Sequence, residues 1–134
     1  MSELRRVNPE SLVAPSGFSH AVTATGGTLV FLAGQTALDA SGRIVGDGIV
    51  AQVEQALTNL LAAVAAAGGA PEHLAKVTIY AVDPEDYRAH ASEIGAVWQR
   101  LAGRDYPAMA LIGIVRLWDT EALVELEGIA VLPN

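Results

Sequence analysis

Hydrophobic and polar positions along the chain recur with two periods, one typical of strands and the other of helices. Apolar residues alternate with polar ones, or run continuously, over five segments that we predict to be strands: SHAVTAT (19–25), LVFLAGQTAL (29–38), HLAKVTIYAV (73–82), AMALIGIVRL (108–117) and ALVELEGIAVL (122–132). The start of the chain contains Pro9 and Pro15 and is predicted to be irregular.

Two intervening segments have the helical period of 3.6 residues. The first helix is expected to begin at an Asp47 cap and to stop at Gly68 and Gly69, with a stripe formed by Ile49, Val53, Leu57, Leu60 and Val64. The second begins at Asp83 and Pro84 and ends at Gly103, with a stripe formed by Tyr87, Ala91, Ile94, Trp98 and Leu101. The order β-β-α-β-α-β-β predicts an α+β fold with two helices on one face of the sheet.

The last predicted strand places two glutamates in a hydrophobic segment, VELEGIAVL (Val124–Leu132). Side chains alternate between the faces of a strand, so Glu125 and Glu127 lie on the same face. The residues beside them on that face are apolar: Leu123, Ile129 and Val131. So much apolar area is not left in water, and a buried carboxylate persists when it is paired, hydrogen-bonded or functional. We therefore predict that other copies of the chain cover this face, with a polar pocket between subunits.

Composition supports self-association of a single domain spanning residues 1–134. Hydrophobic residues make up 51% of the chain and charged residues only 17%. No apolar run reaches the roughly 18 residues of a membrane span, and the first residues carry no export signal. Cysteine is absent, so disulfides and thiol chemistry are excluded. We expect a cytoplasmic homo-oligomer that has no membrane contact.

The charge balance disfavours nucleic acid as a partner. The net charge is −7, and eight basic residues are scattered among fifteen acidic ones, whereas phosphate binding requires clustered Lys and Arg. The three histidines form no ligand pattern, so no metal site is predicted. The paired glycines do not lead from a strand into a helix, so they are not expected to bind phosphate, and no cofactor is predicted. A small molecule is the expected partner.

Several segments resemble the Rid/YjgF family. They are AGQTAL (33–38), the helix that follows it, and YPAMALIGIVRL (106–117) followed by VELEGIAV (124–131). The resemblance covers essentially the whole chain, and the spacing from Pro107 through Arg116 to Ala130 is fairly specific. It implies a chorismate-mutase-like fold and a homotrimer with ligand clefts between subunits. Members of this family include enamine and imine deaminases.

The resemblance also implies roles for individual residues. Glu127 would position or activate the water that attacks an imine carbon. The cleft would be lined by Phe18, Gly34, Gln35, Met109 and Ala110. Deaminating members read P-A-R-S where this chain reads PAMA, so Met109 stands in place of an arginine that clamps the substrate carboxylate. Phe18 stands in place of a tyrosine, and Ala91 in place of an asparagine that some deaminases carry.

These departures change the expected ligand. A hydrogen bond to a charged group contributes about 1.5–3 kcal/mol, which Met109 cannot supply. Met109 offers a flexible apolar wall instead. We therefore predict a ligand without an anchoring carboxylate, larger and less polar than substrates of the 2-iminobutyrate type.

Two classes of function remain open. One is an enzyme that adds water to an imine, an enamine or a related electrophile. The other is a trimeric small-molecule binder or metabolite sensor that has lost catalysis. The residues alone equally allow Glu127 to be a structural carboxylate, with Glu125 at the interface or the solvent edge, and they assign no role to His20 or Trp118.

Overall fold

The chain folds into one layer of sheet covered on one side by helices. The computed structural model describes residues 3–134. Its elements in chain order are β1 (Glu3–Val7), β2 (Ala21–Thr25), β3 (Thr28–Gln35), α1 (Ile49–Ala66), a 3₁₀ turn (Pro71–His73), β4 (Leu74–Ala81), α2 (Pro84–Ala89), α3 (Ala91–Ala102), β5 (Ala108–Gly113) and β6 (Val124–Leu132). The predicted α+β class is confirmed.

The main sheet has four strands in the order β3-β6-β4-β5, and β1 and β2 form a separate antiparallel pair. Strand β6 is antiparallel to both β3 and β4, whereas β5 is parallel to β4. The connection from β5 to β6 is therefore not the hairpin that the sequence suggested, because β4 lies between those two strands. Strand β5 also ends at Gly113, four residues before its predicted end.

The core lies between the sheet and helices α1 and α3. The predicted stripe of α1 is fully buried, from Ile49 to Val64. It packs on strand residues that include Val77, Val124 and Leu126, each with no exposed surface. Helix α1 has the length and apolar character of a membrane span, but a core helix has the same properties. The wholly apolar face predicted for β6 is therefore the face that packs against helices.

Gln52 of α1 is a polar residue that lies in the core. It is buried, and its amide binds the backbone on both sides of the last turn before β6: Nε2 donates to the Glu121 carbonyl at 3.1 Å, and Oε1 accepts from the Leu123 N–H at 2.8 Å. Two hydrogen bonds offset the cost of burying the amide. Gln52 thereby ties the start of β6 to α1.

Two local predictions are wrong, and a third is only partly correct. The start of the chain is irregular around Pro9 and Pro15, but the residues before them form β1, which pairs with β2 along five residues. Gly48, and not Asp47, caps α1, and its φ of 92° favours glycine. The second helix is broken at His90 into α2 and α3. The Asp83 cap is confirmed, because its side chain accepts from the Asp86 N–H at 3.2 Å.

The other face of the main sheet is left open by the helices. Large apolar side chains on it are exposed, with Phe31 at 75%, Leu29 at 60% and Ile112 at 44%. Tyr80 and Ile112 stand in register, and Tyr80 also faces Glu125 across the strand pair. This surface, which we call the open face, therefore carries both apolar side chains and the glutamates of β6.

Candidate functional site

A cavity of about 640 Å³ lies between α3, β5 and the segment that precedes β2. Phe18 lines its mouth, Met109 and Leu111 come from β5, and the helices contribute Tyr87 and Trp98. Each of its lining residues is uncharged: Ser16, Gly17, Phe18, Ile79, Tyr87, Ala91, Ser92, Ile94, Gly95, Ala96, Trp98, Gln99, Tyr106, Met109, Ala110 and Leu111. The cavity is thus suited to an uncharged, largely apolar group.

The mouth of the cavity is held in place by Ser19 and His20. The N–H of the buried Ser19 donates to the Pro107 carbonyl at 3.0 Å, and its hydroxyl donates to the Tyr106 carbonyl at 2.7 Å. The His20 ring stands edge-on to Phe18, with ring centroids 5.0 Å apart, and its Nε2 lies 2.7 Å from the Val13 carbonyl oxygen. These contacts position Phe18 beside the start of β5.

Met109 faces the helices. It stands in register with Val77, a fully buried core residue of β4, and packs partly against the core. Residues paired in register project from the same face of a sheet. Met109 is therefore on the side of the cavity, whereas Ala110, in register with Thr78 and Glu127, has its side chain on the open face although it also borders the cavity.

The two glutamates have different partners on the open face. Glu127 accepts a hydrogen bond from the Tyr80 hydroxyl, with 2.6 Å between that oxygen and Oε1. Tyr80 stands opposite Glu125 in the strand register, so it reaches Glu127 along the diagonal. In the part of the chain that the structure describes, no side chain or N–H donates to Glu125. One carboxylate is thus held by a phenol, and the other is free.

Glu125 lies directly against the backbone of Gly34. A Cβ built on Gly34 would be 2.8 Å from the Glu125 carboxyl carbon, so any residue other than glycine at this position would force the carboxylate to move. The pairing of β3 with β6 is irregular between Leu32 and Gln35, and such bulges often redirect side chains near functional sites. Gln35 pairs with Leu126 at this point. Gly34 therefore lies with the glutamates, whereas Gln35 stands in register with a buried residue of the core face.

The surroundings of Glu125 and Tyr80 alter the pKa values of these two side chains. Partial burial, and then the negative charge of Glu127, raise the pKa of Glu125 above its ordinary value. The pKa of Tyr80 is also raised, chiefly by its hydrogen bond to Glu127. The Tyr80 hydroxyl therefore stays protonated at neutral pH and can donate a hydrogen bond. The pKa of Glu125 is shifted in the direction that suits a general base.

The predicted site residues thus fall into two groups on opposite faces of one sheet. Phe18, Met109 and Ala110 border the cavity, and Gly34 lies with Glu125 and Glu127. Gln35 is in neither group, because it stands in register with the core residue Leu126. Arg116 does not reach either group, because its guanidinium donates to the carbonyls of Leu117 and Trp118 at 3.1 Å each.

Two tyrosines near these groups were not predicted. Tyr80 contacts Glu127, and Tyr87, predicted only as a core residue, lines the cavity. The alternation of β4 could have placed Tyr80 on the polar face of its strand, but its diagonal partner depends on a register that the sequence does not show.

Comparison with known proteins assigns the chain to a family. The model of the family described as Endoribonuclease L-PSP matches residues 9–132. The chain belongs to this family, the Rid/YjgF family. A RutC family protein of Synechocystis sp. is 36% identical to this Rid/YjgF chain over 124 residues, which are 90% of this chain and 91% of the relative.

A named deaminase and a solved structure are also similar to this Rid/YjgF chain. The 2-iminobutanoate/2-iminopropanoate deaminase of Capra hircus is 32% identical over 103 residues, covering 76% of this chain and 72% of the goat protein. The crystal structure of a Rid family protein of unknown function from Yersinia pestis superposes with a TM-score of 0.85 at 35% identity, covering 96% and 98% of the two chains. The YjgF-type fold predicted from the resemblance is confirmed.

Proposed function

We propose that this protein is a hydrolase that deaminates an imine, an enamine or a related reactive metabolite in a cleft between subunits of a homotrimer. The observation that carries the proposal is the free carboxylate of Glu125 against Gly34, on an open face that also exposes large apolar side chains. Once another subunit covers that face, a carboxylate there is costly unless it is used. A cytoplasmic location remains a prediction.

The positions of the two groups of site residues support the proposed assembly. The cavity opens on the helix side of the sheet, and the glutamates lie on the other side. A cleft that contains both must therefore combine the cavity of one subunit with the open face of another. Burial of Phe31, Leu29 and Ile112 would favour this association by removing apolar surface from water.

The reaction needs a base beside the electrophilic carbon. A water molecule would add its oxygen to the imine carbon as its proton passes to a carboxylate. Return of that proton to nitrogen gives a carbinolamine. Transfer of its hydroxyl proton to nitrogen, through the same carboxylate, then lets the carbon–nitrogen bond break and leaves a carbonyl product and ammonia. The prediction from resemblance gives this task to Glu127. The geometry favours Glu125 for two reasons. Glu127 already accepts a hydrogen bond from the Tyr80 hydroxyl, and the pKa of Glu125 is raised.

The substrate is proposed to lack a carboxylate near the reacting carbon. The goat relative is named for substrates that are 2-imino acids. In this chain Met109 occupies the position assigned to the clamping arginine, and no lining residue of the cavity carries a charge. Burying a carboxylate in such a cavity without a cation would cost several kcal/mol.

A second candidate function is a small-molecule binder without catalysis. The uncharged cavity and the missing clamp support it, since both are compatible with retention of a ligand and loss of the deaminase reaction. This function requires the trimer and the cavity but not a working carboxylate, so turnover separates it from the enzyme.

Wild-type protein should accelerate hydrolysis of a neutral aromatic ketimine more than that of 2-iminobutanoate. Ammonia release would be measured for both substrates, with the goat deaminase as a parallel control that should prefer 2-iminobutanoate. Rates on 2-iminobutanoate equal to those of the goat enzyme would contradict the proposed substrate class. If the protein binds one of these compounds but hydrolyses neither of them, the result would favour the function as a binder without catalysis.

A further inference from the structure

Tyr87 is one of the residues that line the cavity. Its side chain is largely buried, and its hydroxyl makes no hydrogen bond to any other residue in the described range 3–134. The one buried side-chain polar atom without a partner in that range is Nε of Arg6. The Tyr87 hydroxyl is therefore not fully buried and keeps some accessible surface.

Helix α2 is firmly placed, so Tyr87 is held in position. Asp83 caps the helix, and Pro84 follows at its first position. Pro84 packs against the end of β5, where a Cβ on Gly113 would lie 2.8 Å from the Pro84 Cγ. Tyr87 thus stands on a short helix fixed between β5 and α3.

The other large polar groups of the cavity already have partners. The Tyr106 hydroxyl accepts from Nε2 of Gln99 at 2.9 Å, and Oε1 of Gln99 accepts from Arg104 at 3.4 Å. Burial raises the pKa of Tyr87 to about 12, so its hydroxyl is a neutral donor at any physiological pH. The Tyr106 oxygen is thus engaged as an acceptor, whereas the Tyr87 hydroxyl is the phenol of the cavity that makes no hydrogen bond among residues 3–134.

The remaining walls favour a flat apolar group. Phe18 and Trp98 supply aromatic surface, and Met109 supplies a polarizable thioether. We propose that the cavity binds an uncharged, planar, aromatic-sized group that carries a carbonyl-type acceptor, and that the Tyr87 hydroxyl donates a hydrogen bond to this acceptor. Tyr87 would then replace the polar anchor that Met109 and Phe18 do not provide.

This inference rests on the proposed function for the place of the cavity in the cleft, but it does not depend on catalysis. An unreactive ligand therefore tests it separately. Benzamide, benzoate and benzamidine have nearly the same shape, with charges of 0, −1 and +1. We expect calorimetry on the whole protein to show the tightest binding for benzamide, because neither ion finds a countercharge among the lining residues.

Tyr87→Phe should weaken benzamide binding by about two- to tenfold, the loss of one neutral hydrogen bond. Ethylbenzene, which has no acceptor, is the matched control ligand, and its affinity should be unchanged. Tighter binding of benzoate than of benzamide, or equal benzamide affinity in the variant, would overturn the inference.

A crystal structure of the wild-type complex tests the inference even if Tyr87→Phe folds poorly. The benzamide oxygen should lie about 2.7 Å from the Tyr87 hydroxyl oxygen. Benzamide bound elsewhere, or with its oxygen turned away from Tyr87, would refute the role of Tyr87. Benzamide bound as expected in a protein that hydrolyses no imine would leave the inference intact and refute the proposed reaction.

Discussion

Replacing Glu125 by glutamine should lower the turnover of a neutral ketimine by about 10²- to 10⁴-fold, the usual contribution of a general base. Glutamine keeps the shape of the side chain beside Gly34 but cannot accept a proton. The trimer and the affinity for benzamide should be unchanged, because neither requires the carboxylate to ionise. Ammonia release and sedimentation of the same preparation would be measured together.

Glu127→Gln distinguishes the two glutamates. If Glu125 is the base, activity falls as the pH drops through its raised pKa, since the protonated carboxyl cannot take a proton from water. Removing the charge of Glu127 should lower the pKa of Glu125, so this acidic limb moves to lower pH while turnover persists. Loss of turnover in Glu127→Gln at every pH, with Glu125→Gln active, would assign catalysis to Glu127. Glu72→Gln, an exposed acid, is the control.

Met109→Arg should raise kcat/KM for 2-iminobutanoate by about ten- to a hundredfold. The guanidinium would supply the cation that the cavity lacks, and a charge-assisted hydrogen bond contributes about 1.5–3 kcal/mol. The same variant should lose its preference for a neutral ketimine. Initial rates on both substrates measure the change.

Met109→Leu is the matched control for this variant, because it retains an apolar side chain of similar volume. It should keep the wild-type order of substrates. An arginine variant that folds and assembles normally yet gains no activity on 2-iminobutanoate would show that Met109 does not stand where the substrate carboxylate would bind.

The period of the hydrophobic pattern was enough to predict most of the fold. The α1 stripe from Ile49 to Val64 is buried as expected, and the alternation in β6 placed Glu125 and Glu127 on one face. These features depend only on side-chain direction within one element. The two helices on one sheet face followed because β6 has one wholly apolar face that needs a cover.

Features that depend on contacts between distant segments could not be predicted from the period of the hydrophobic pattern. The sequence does not show that β4 separates β5 from β6, or that Tyr80 reaches Glu127 across a strand pair. The break at His90 was missed because the hydrophobic stripe continues through it from Tyr87 to Ile94. Strand β1 was not predicted because the adjacent charged residues Arg5 and Arg6 interrupt the alternation of apolar and polar positions that identifies a strand.

Sedimentation of the wild-type protein at micromolar concentration tests most directly whether sister chains cover the open face. We predict one species with the mass of three chains of 13.9 kDa each. A single species of 13.9 kDa would contradict the account, because the cavity and the glutamates would then stay on opposite sides of one sheet and no cleft would contain both.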